Sequence, residues 1–581
     1  MTVSIRRVAP VAHLPLVLGV LRKLEVAQLI ATKIPPNPAH VLSNGRGVEA
    51  LMLAIVDGHH ALYKVGRRLE ERGMLPLLQP GLEVTSVHDS RLGQILDALF
   101  HANLNQVFGA VALKALEAYA IATPWIHQDT TTISLYGAYA DVGAASDAPR
   151  PTYGHNKDGR GDLKQVLLSL GVSGDGGLPL RRGLRDGNTS DNVEVPQAIA
   201  ESLALGLEGF KGIVADSKAY SQRTLGVCLE QQVGLVTLVP RTCGIRQEVE
   251  AWGQKQSSLS LLVDKPARRR GETPRRWYGR SITRAVEVEY GDGRIELAPV
   301  RFVAVYSMQL AQQHAEAYGK AQAREALALA EHVAQVERRR FACEADARAA
   351  IAELEGRERG KRGRRPCRWR YHEVSYGVDA QWQRKKRSRP GRPRQGEAVE
   401  HELVYRLYVS SKALSPPVST FGWLVLATTV SEKTCDDAEI VRAYRDQSTT
   451  VEPGFRWIKN PAAISPVWLE KRERIAALAM LTVVGLLVYS LIQRQVRQSL
   501  QQHHESVPGN KGETTEPTAA VVFESFTSVT LIHLDHNGSD LCQVHGWQAH
   551  HQLICQALGV DCSWYEGTTN QKINPMRPQA P

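Results

Sequence analysis

No two of the eight cysteines (Cys228, Cys243, Cys343, Cys367, Cys435, Cys542, Cys555 and Cys562) form a Cys-x-x-Cys pair. Scattered single thiols in a large chain argue against a disulfide framework and for a reducing compartment, the cytoplasm. No export signal is expected either. Arg6-Arg7 precede an apolar run, but Pro10, His13 and Pro15 break it, and no small-residue cleavage site comes after it. Long apolar runs are scarce too: Ile475 to Ile492 alone gives eighteen residues without a charge, between Arg474 and Arg494. A fully buried helix packed on a sheet has the same pattern, and that reading is preferred to a membrane span. Finally, there is almost no charge imbalance outside one segment. From Arg357 to Arg394, fifteen Lys or Arg face three acids, a local net of +12 within a total of +11, so the other 543 residues sum to −1. A near-neutral body with one concentrated basic stretch points to a polyanion partner at that stretch.

What is present is a chain of 581 residues, 43% hydrophobic and 23% charged, long enough for several globular domains. Residues 14 to about 122 read as helical: Leu14 to Lys33, Gly47 to Arg72 and Leu92 to Tyr119 carry apolar periodicity, and Pro35-Pro36-Asn37-Pro38 ends the first run. Helix-turn-helix DNA binding is compatible with helices at this spacing, as is simple packing onto the next domain. From Trp125 the pattern shifts to short β-type runs: Trp125–Leu135, Gln165–Ser173, Gly177–Arg182, Gly212–Ala215 and Val233–Val239, with a helix expected over Ser217–Gln231. Strands followed by alternating β and α predict a mixed-sheet α/β domain. That pattern breaks off at residue 246. An insertion to about 420 contains a hairpin around Tyr290-Gly291-Asp292-Gly293, a long helix over Met308–Glu355 and the basic segment. Strand signal resumes at Leu403–Val409 and Trp423–Val430. The expected domains are therefore 1–122, 123–245, 246–420, 421–500 and a tail, 501–581, opening with a polar linker over 503–516.

Three acids stand in defined contexts: Asp129 on the first strand, Asp216 at the end of a later one, and Glu452 just before Arg456 and Lys459. If the last segment is helical, positions i, i+4 and i+7 share a face, placing a metal-binding type of side chain beside two phosphate-binding types. Oxygen ligands from separate elements suit hard cations such as Mg²⁺. Two such cations can activate a water and stabilise the leaving oxygen of a phosphodiester.

The chain resembles the DDE transposases of bacterial insertion sequences, in the branch with a Tyr-Arg-Glu-Lys signature. The matching segments are His127 to Thr132, Tyr153 to Asp158, Asp162 to Gln165, Gly187 to Asp191, Val214 to Ser217 and Glu452 to Pro461. The likeness covers roughly residues 120 to 495. It implies an RNase H-like fold, and cleavage and joining of double-stranded DNA by a homodimer assembled on that DNA. It also implies two Mg²⁺ ions, with Mn²⁺ as a substitute, held by Asp129, Asp216 and Glu452. Tyr444, Arg456 and Lys459 would hold DNA. Two departures stand out. Tyr444 precedes Glu452 by eight residues where the signature has seven, and Pro453 follows the glutamate directly. Proline disfavours the helical conformation in the residue before it and suits a first helical turn, which predicts Glu452 at a helix start.

The basic run Lys385, Lys386, Arg387, Arg389, Arg392 and Arg394, around Gly391-Arg392-Pro393, resembles an AT-hook core. It reads equally as a minor-groove arm or as a solvated loop attracting phosphates. Trp277, Trp369 and Trp382 lie among basic residues, where an indole can stack on a base, though ordinary packing is the plainer reading. Cys542, His545, His550, His551 and Cys555 match no common zinc spacing. The expectation is a cytoplasmic, metal-dependent transposase. The alternatives are a nuclease without strand transfer and a catalytically impaired protein that occupies transposon ends.

Overall fold

The computed structural model describes residues 3–58, 61–139, 147–154, 156–157, 159–266, 274–359, 368–385, 396, 398–459, 469–536, 539–561 and 563–565. It divides into two compact units. The larger comprises Met1–Gln247, Ser281–Val303 and Leu426–Pro581; the smaller comprises Glu248–Arg280 and Ala304–Val425. Residues 281–303, expected within the insertion, thus belong with the larger unit.

Among the described residues, the larger unit has first a strand, β1 (Val3–Ala9), then six helices of two or more turns between Leu14 and Tyr119, with a single turn at Leu75–Leu78. Each apolar run expected as one helix is two. Glu25, with φ +54°, separates Leu14–Lys23 from Val26–Lys33. Asn103, with φ +65°, separates Asp89–His101 from Leu104–Tyr119, and its side chain accepts from the amides of Asn105 and Gln106. Periodicity carries through such a break because both halves bury the same kind of face; a left-handed residue leaves no mark on it.

The sheet comes next: β2 (Trp125–Leu135), β3 (Lys164–Ser173), β4 (Pro179–Asp186), β5 (Gly212–Ala215) and β6 (Gly234–Leu238). Strands β2, β3 and β4 run antiparallel in succession, whereas β5 is parallel to β2 and β6 is parallel to β5. This is a mixed α/β fold. The parallel pairs are close-set: a Cβ on Gly212 would meet the Gly234 carbonyl oxygen at 2.0 Å. The smaller unit contains β7 (Ser260–Lys265), paired with the first residues of β8 (Arg275–Glu289). Strands β8 and β9 (Ile295–Tyr306) form the hairpin expected at Tyr290–Gly293, closed by the Tyr290 amide on the Arg294 carbonyl.

The rest of the smaller unit pairs β10 (Arg340–Phe341), β11 (His372–Arg384) and β12 (His401–Ala413) against two helices. The single helix expected over Met308–Glu355 is two, Met308–Glu337 and Glu344–Arg359, with β10 between them. Val336, Ala347, Ala350 and Leu407 make a small core. Last, β13 (Trp423–Thr428) pairs through Leu426–Thr428 with β6, antiparallel.

Two long helices come next in the larger unit. Asp437–Ile458 is capped by the Asp436 carboxylate on the Glu439 amide, with Asp437 and Glu439 in the first turn and Arg456 in the last, the order the helix dipole favours. Arg472–His503 carries the apolar run, and 94% of its apolar window is buried. Arg474 is paired with Asp97 at 2.7 Å and Arg494 with Asp175, so both charges that bound the run are used inside the protein. One hydrophobic core runs from Ala9 through this helix to Tyr565. The expected tail is therefore part of the body. The stretch expected as a polar linker holds a small hairpin, β14 (Val507–Gly509) with β15 (Gly512–Thr514), and β16 (Thr530–His536) lies between β1 and β17 (Ser539–His545).

Candidate active site

Strand β2 places Asp129 at mid-strand, beside β3 and opposite Leu170. Its Oδ1 accepts from the Thr130 amide at 2.7 Å, which fixes the carboxylate close to the strand. On the neighbouring strand, Ala215 is in register with Gln128, so Asp216 follows at the position next to Asp129. The Asp216 carboxylate accepts from the Lys218 amide at 3.1 Å and caps a short turn over Ser217–Ala219. A turn and a separate helix, Gln222–Glu230, thus replace the continuous helix expected from Ser217.

The Asp437–Ile458 helix supplies the third acid. Pro453 lies inside it, which corrects the expectation that Glu452 sits at a helix start. The reason is local. Pro453 and Thr449 are both exposed, so the Thr449 carbonyl that loses its helical donor lies within reach of water. The preceding turn is further tied by the Thr450 hydroxyl donating to the Asp446 carbonyl at 2.8 Å. Glu452 and Arg456 consequently share a face, 3.8 Å apart.

Asp129 and Glu452 line one open cleft of about 590 Å³, together with Thr130, Thr131, Lys157, Phe455, Arg456 and Lys459. Three cations and two carboxylates give it a formal charge of +1, suited to an anion. Lys157 stands 3.9 Å from Asp129 Oδ1. Asp216 is not among the residues lining the cleft. Tyr444 lies beside Asp216. Burial pushes its hydroxyl up to about 12, Asp216 adds to the rise and Arg246 opposes it. Tyr444 is thus packed towards the second acid, while Arg456, with 80% of its side chain exposed, is presented outward.

Sequence reasoning missed Lys157, Thr130, Thr131 and Phe455 as members of one cleft. The Tyr153–Asp158 segment carries part of the family resemblance, but nothing in it marks Lys157 as facing Asp129. Among the basic run, Lys385 is paired with Glu400 at 3.0 Å; Lys386, Arg387, Arg389, Arg392 and Arg394 lie outside the described residues. Trp369 is buried, with its ring 5.4 Å from that of His332, as ordinary packing requires, whereas Trp382 is 71% exposed.

The donor set bears on metal binding. Asp129, Asp216 and Glu452 offer only oxygen, as a hard cation needs. Among the described residues, however, no three His, Cys, Asp or Glu side chains are grouped closely enough to hold an ion, in this cleft or at the tail's cysteines and histidines.

Residues 6–113 match a family described as a domain of unknown function (DUF4277). No curated protein matches the chain. Among solved structures, the chain is similar to the piggyBac transposase in a cryo-EM structure of its synaptic complex with hairpin DNA. That likeness has 8% identity and a TM-score of 0.35, covering 90% of this chain and 81% of the other.

Proposed function

We propose that the chain is an insertion-sequence transposase that cuts double-stranded DNA at the element's ends and joins them to a target. The observation that carries this reading is the convergence of Asp129 and Glu452, distant in sequence, on one cleft with Lys157, Arg456 and Lys459. Strand order supports an RNase H-like core: β4, β3 and β2 antiparallel, then β5 and β6 parallel to β2.

The chain's own residues would work as follows. Arg456 and Lys459, from the helix, grip a phosphodiester along the cleft. The Thr130 amide keeps the Asp129 carboxylate oriented, and Asp216 stands at the adjoining strand position. Asp129, Asp216 and Glu452 would hold Mg²⁺, or Mn²⁺ in its place; a bound ion of this kind activates water and stabilises a leaving oxygen. The protein would act in the cytoplasm, as a homodimer on DNA.

A second reading has one observation in its favour. The three carboxylates are not grouped, and two of them face cations, as expected of a DNA-binding protein without catalysis. A labelled element end incubated with the protein and Mg²⁺ separates the readings. Joined product supports the transposase, cleaved product alone a nuclease, and a shifted band alone the binding protein. Asp129→Ala should still bind the end and yield no cleavage; cleavage at the wild-type rate would remove Asp129 from the site.

A further inference from the structure

The cleft has two walls, and the cations on them are held differently. Arg456 and Lys459 come from the Asp437–Ile458 helix. Lys157 comes from the strand side, and it is anchored. Its Nζ donates to the Thr130 carbonyl and to the Thr130 hydroxyl, the latter at 2.7 Å, and its own amide donates to the Thr132 hydroxyl at 3.2 Å. The residue before it, Asn156, is buried and donates to the Ser134 hydroxyl at 3.0 Å. Thr130, Thr132 and Ser134 are alternate residues of β2, so they stand in a row along the strand. The Asn156–Lys157 segment is sewn to that row.

Such stitching fixes where the charge sits. A lysine ordinarily loses considerable side-chain entropy when it binds an anion; one already bonded to the strand has lost much of it beforehand. Nζ has three donor hydrogens, and Thr130 takes two. The third remains for the cleft, where Asp129 Oδ1 is at 3.9 Å, longer than a hydrogen bond.

We infer that Lys157 is a phosphate-contacting residue that grips a phosphodiester from the strand wall, opposite Arg456 and Lys459. Its ammonium would also keep the Asp129 carboxylate from repelling the incoming phosphate. The inference rests on the reading of the cleft as a DNA site.

Lys157→Gln keeps a hydrogen-bond donor for Thr130 and removes the charge; Lys157→Arg keeps the charge. Both, with the wild-type full chain, would be titrated with a DNA duplex over a range of salt and separately with pyrophosphate by calorimetry. One lost phosphate contact should lower the slope of log affinity against log salt by about 0.9 in Lys157→Gln, with Lys157→Arg close to wild type. Pyrophosphate affinity should fall about fivefold or more in Lys157→Gln. Wild-type slope and pyrophosphate affinity in Lys157→Gln would overturn the role of Lys157 and leave the DNA reading intact. Pyrophosphate binding that depends on Lys157, without any duplex binding by the wild type, would support the anion grip and overturn the DNA reading. Absence of both ligands from the wild type would overturn both.

Discussion

Glu194 is the carboxylate on which a buried cation network beside the site depends. It is fully buried, and its two oxygens accept from Arg181 at 2.6 Å and from Arg185 at 2.7 Å. Arg181 is 3% exposed and also donates to the Gln128 side chain at 3.0 Å and the Ser169 hydroxyl at 2.9 Å. The network therefore crosses β4, β3 and β2 and ends one residue from Asp129. Replacing Glu194 with Ala would leave two guanidiniums sharing Glu201, which bonds both. Breaking a buried pair costs about 3–5 kcal/mol, and the partial compensation by Glu201 places this case near the lower end, about 3 kcal/mol. At about 1.4 kcal/mol per factor of ten, backbone amides of β3 and β4 that exchange through this opening should exchange roughly a hundredfold faster. Peptide-resolved hydrogen exchange over residues 164–186 measures that change.

The pH dependence has a definite sign. Burial alone would raise the Glu194 carboxyl, but Arg181, the Ser169 hydroxyl and Arg185 outweigh it and leave it lowered. A lowered carboxyl contributes stability that is present above its unfolded value and lost as pH falls through the folded one. The difference between wild type and Glu194→Gln should thus be full at neutral pH and shrink below the usual carboxylate range. Unchanged exchange in Glu194→Ala at neutral pH would refute the reasoning, since it would mean that Arg181 tolerates burial without this partner.

Three further outcomes are expected. Pro453→Ala should stabilise the larger unit by about 2 kcal/mol, the helix-interior penalty of proline less its gain from a stiffer unfolded chain, with DNA cleavage within about twofold of wild type; chemical denaturation and an end-cleavage assay check the two parts. Gly212→Val should destabilise by about 3 kcal/mol or more, because its Cβ would lie 2.0 Å from the Gly234 carbonyl oxygen, and a melting temperature equal to wild type would contradict the close approach of β5 and β6. Deleting Arg384 to Arg394, which removes seven basic residues, should lower DNA affinity and flatten its salt dependence; an unchanged slope in a filter-binding titration would mean the segment does not touch DNA.

Local signals in this chain are legible and long-range ones are not. Buried strands such as Lys164–Ser173 and Gly212–Ala215 are visible as largely apolar runs bounded by turn residues, because strands buried on both faces carry mostly apolar side chains. The apolar stretch around Val483 is legible as a long apolar helix, but the partners of the charges that bound it, Asp97 and Asp175, lie more than three hundred residues away and leave no trace in the local pattern. The same limit hides the role of the tail. Strand β16 completes a sheet with β1 across 520 residues or more of chain, and a short strand, legible as such over its apolar residues, gives no sign of the distant strand it pairs with.

The site divides in the same way. Asp129, Asp216 and Glu452 can be singled out because each stands at a recognisable place, a strand, a strand end or a helix, and because their order resembles a known pattern, yet only Asp129 and Glu452 line the cleft. Lys157 cannot, since its importance comes from facing Asp129 while bonded to Thr130, and neither relation has a sequence period. Pro453 shows the converse error. Its conformational preference is a true local rule, worth about 3 kcal/mol in a helix interior, yet the flanking turns outweigh it. Val451, Phe455 and Ile458 are buried in the main core, and Gly454 lets Leu486 approach to 3.0 Å of where a Cβ would stand. Burying three apolar side chains at about 1.5–3 kcal/mol each exceeds the proline penalty. The helix therefore continues past Pro453, and Glu452 stays on the face that carries Arg456 and reaches the cleft.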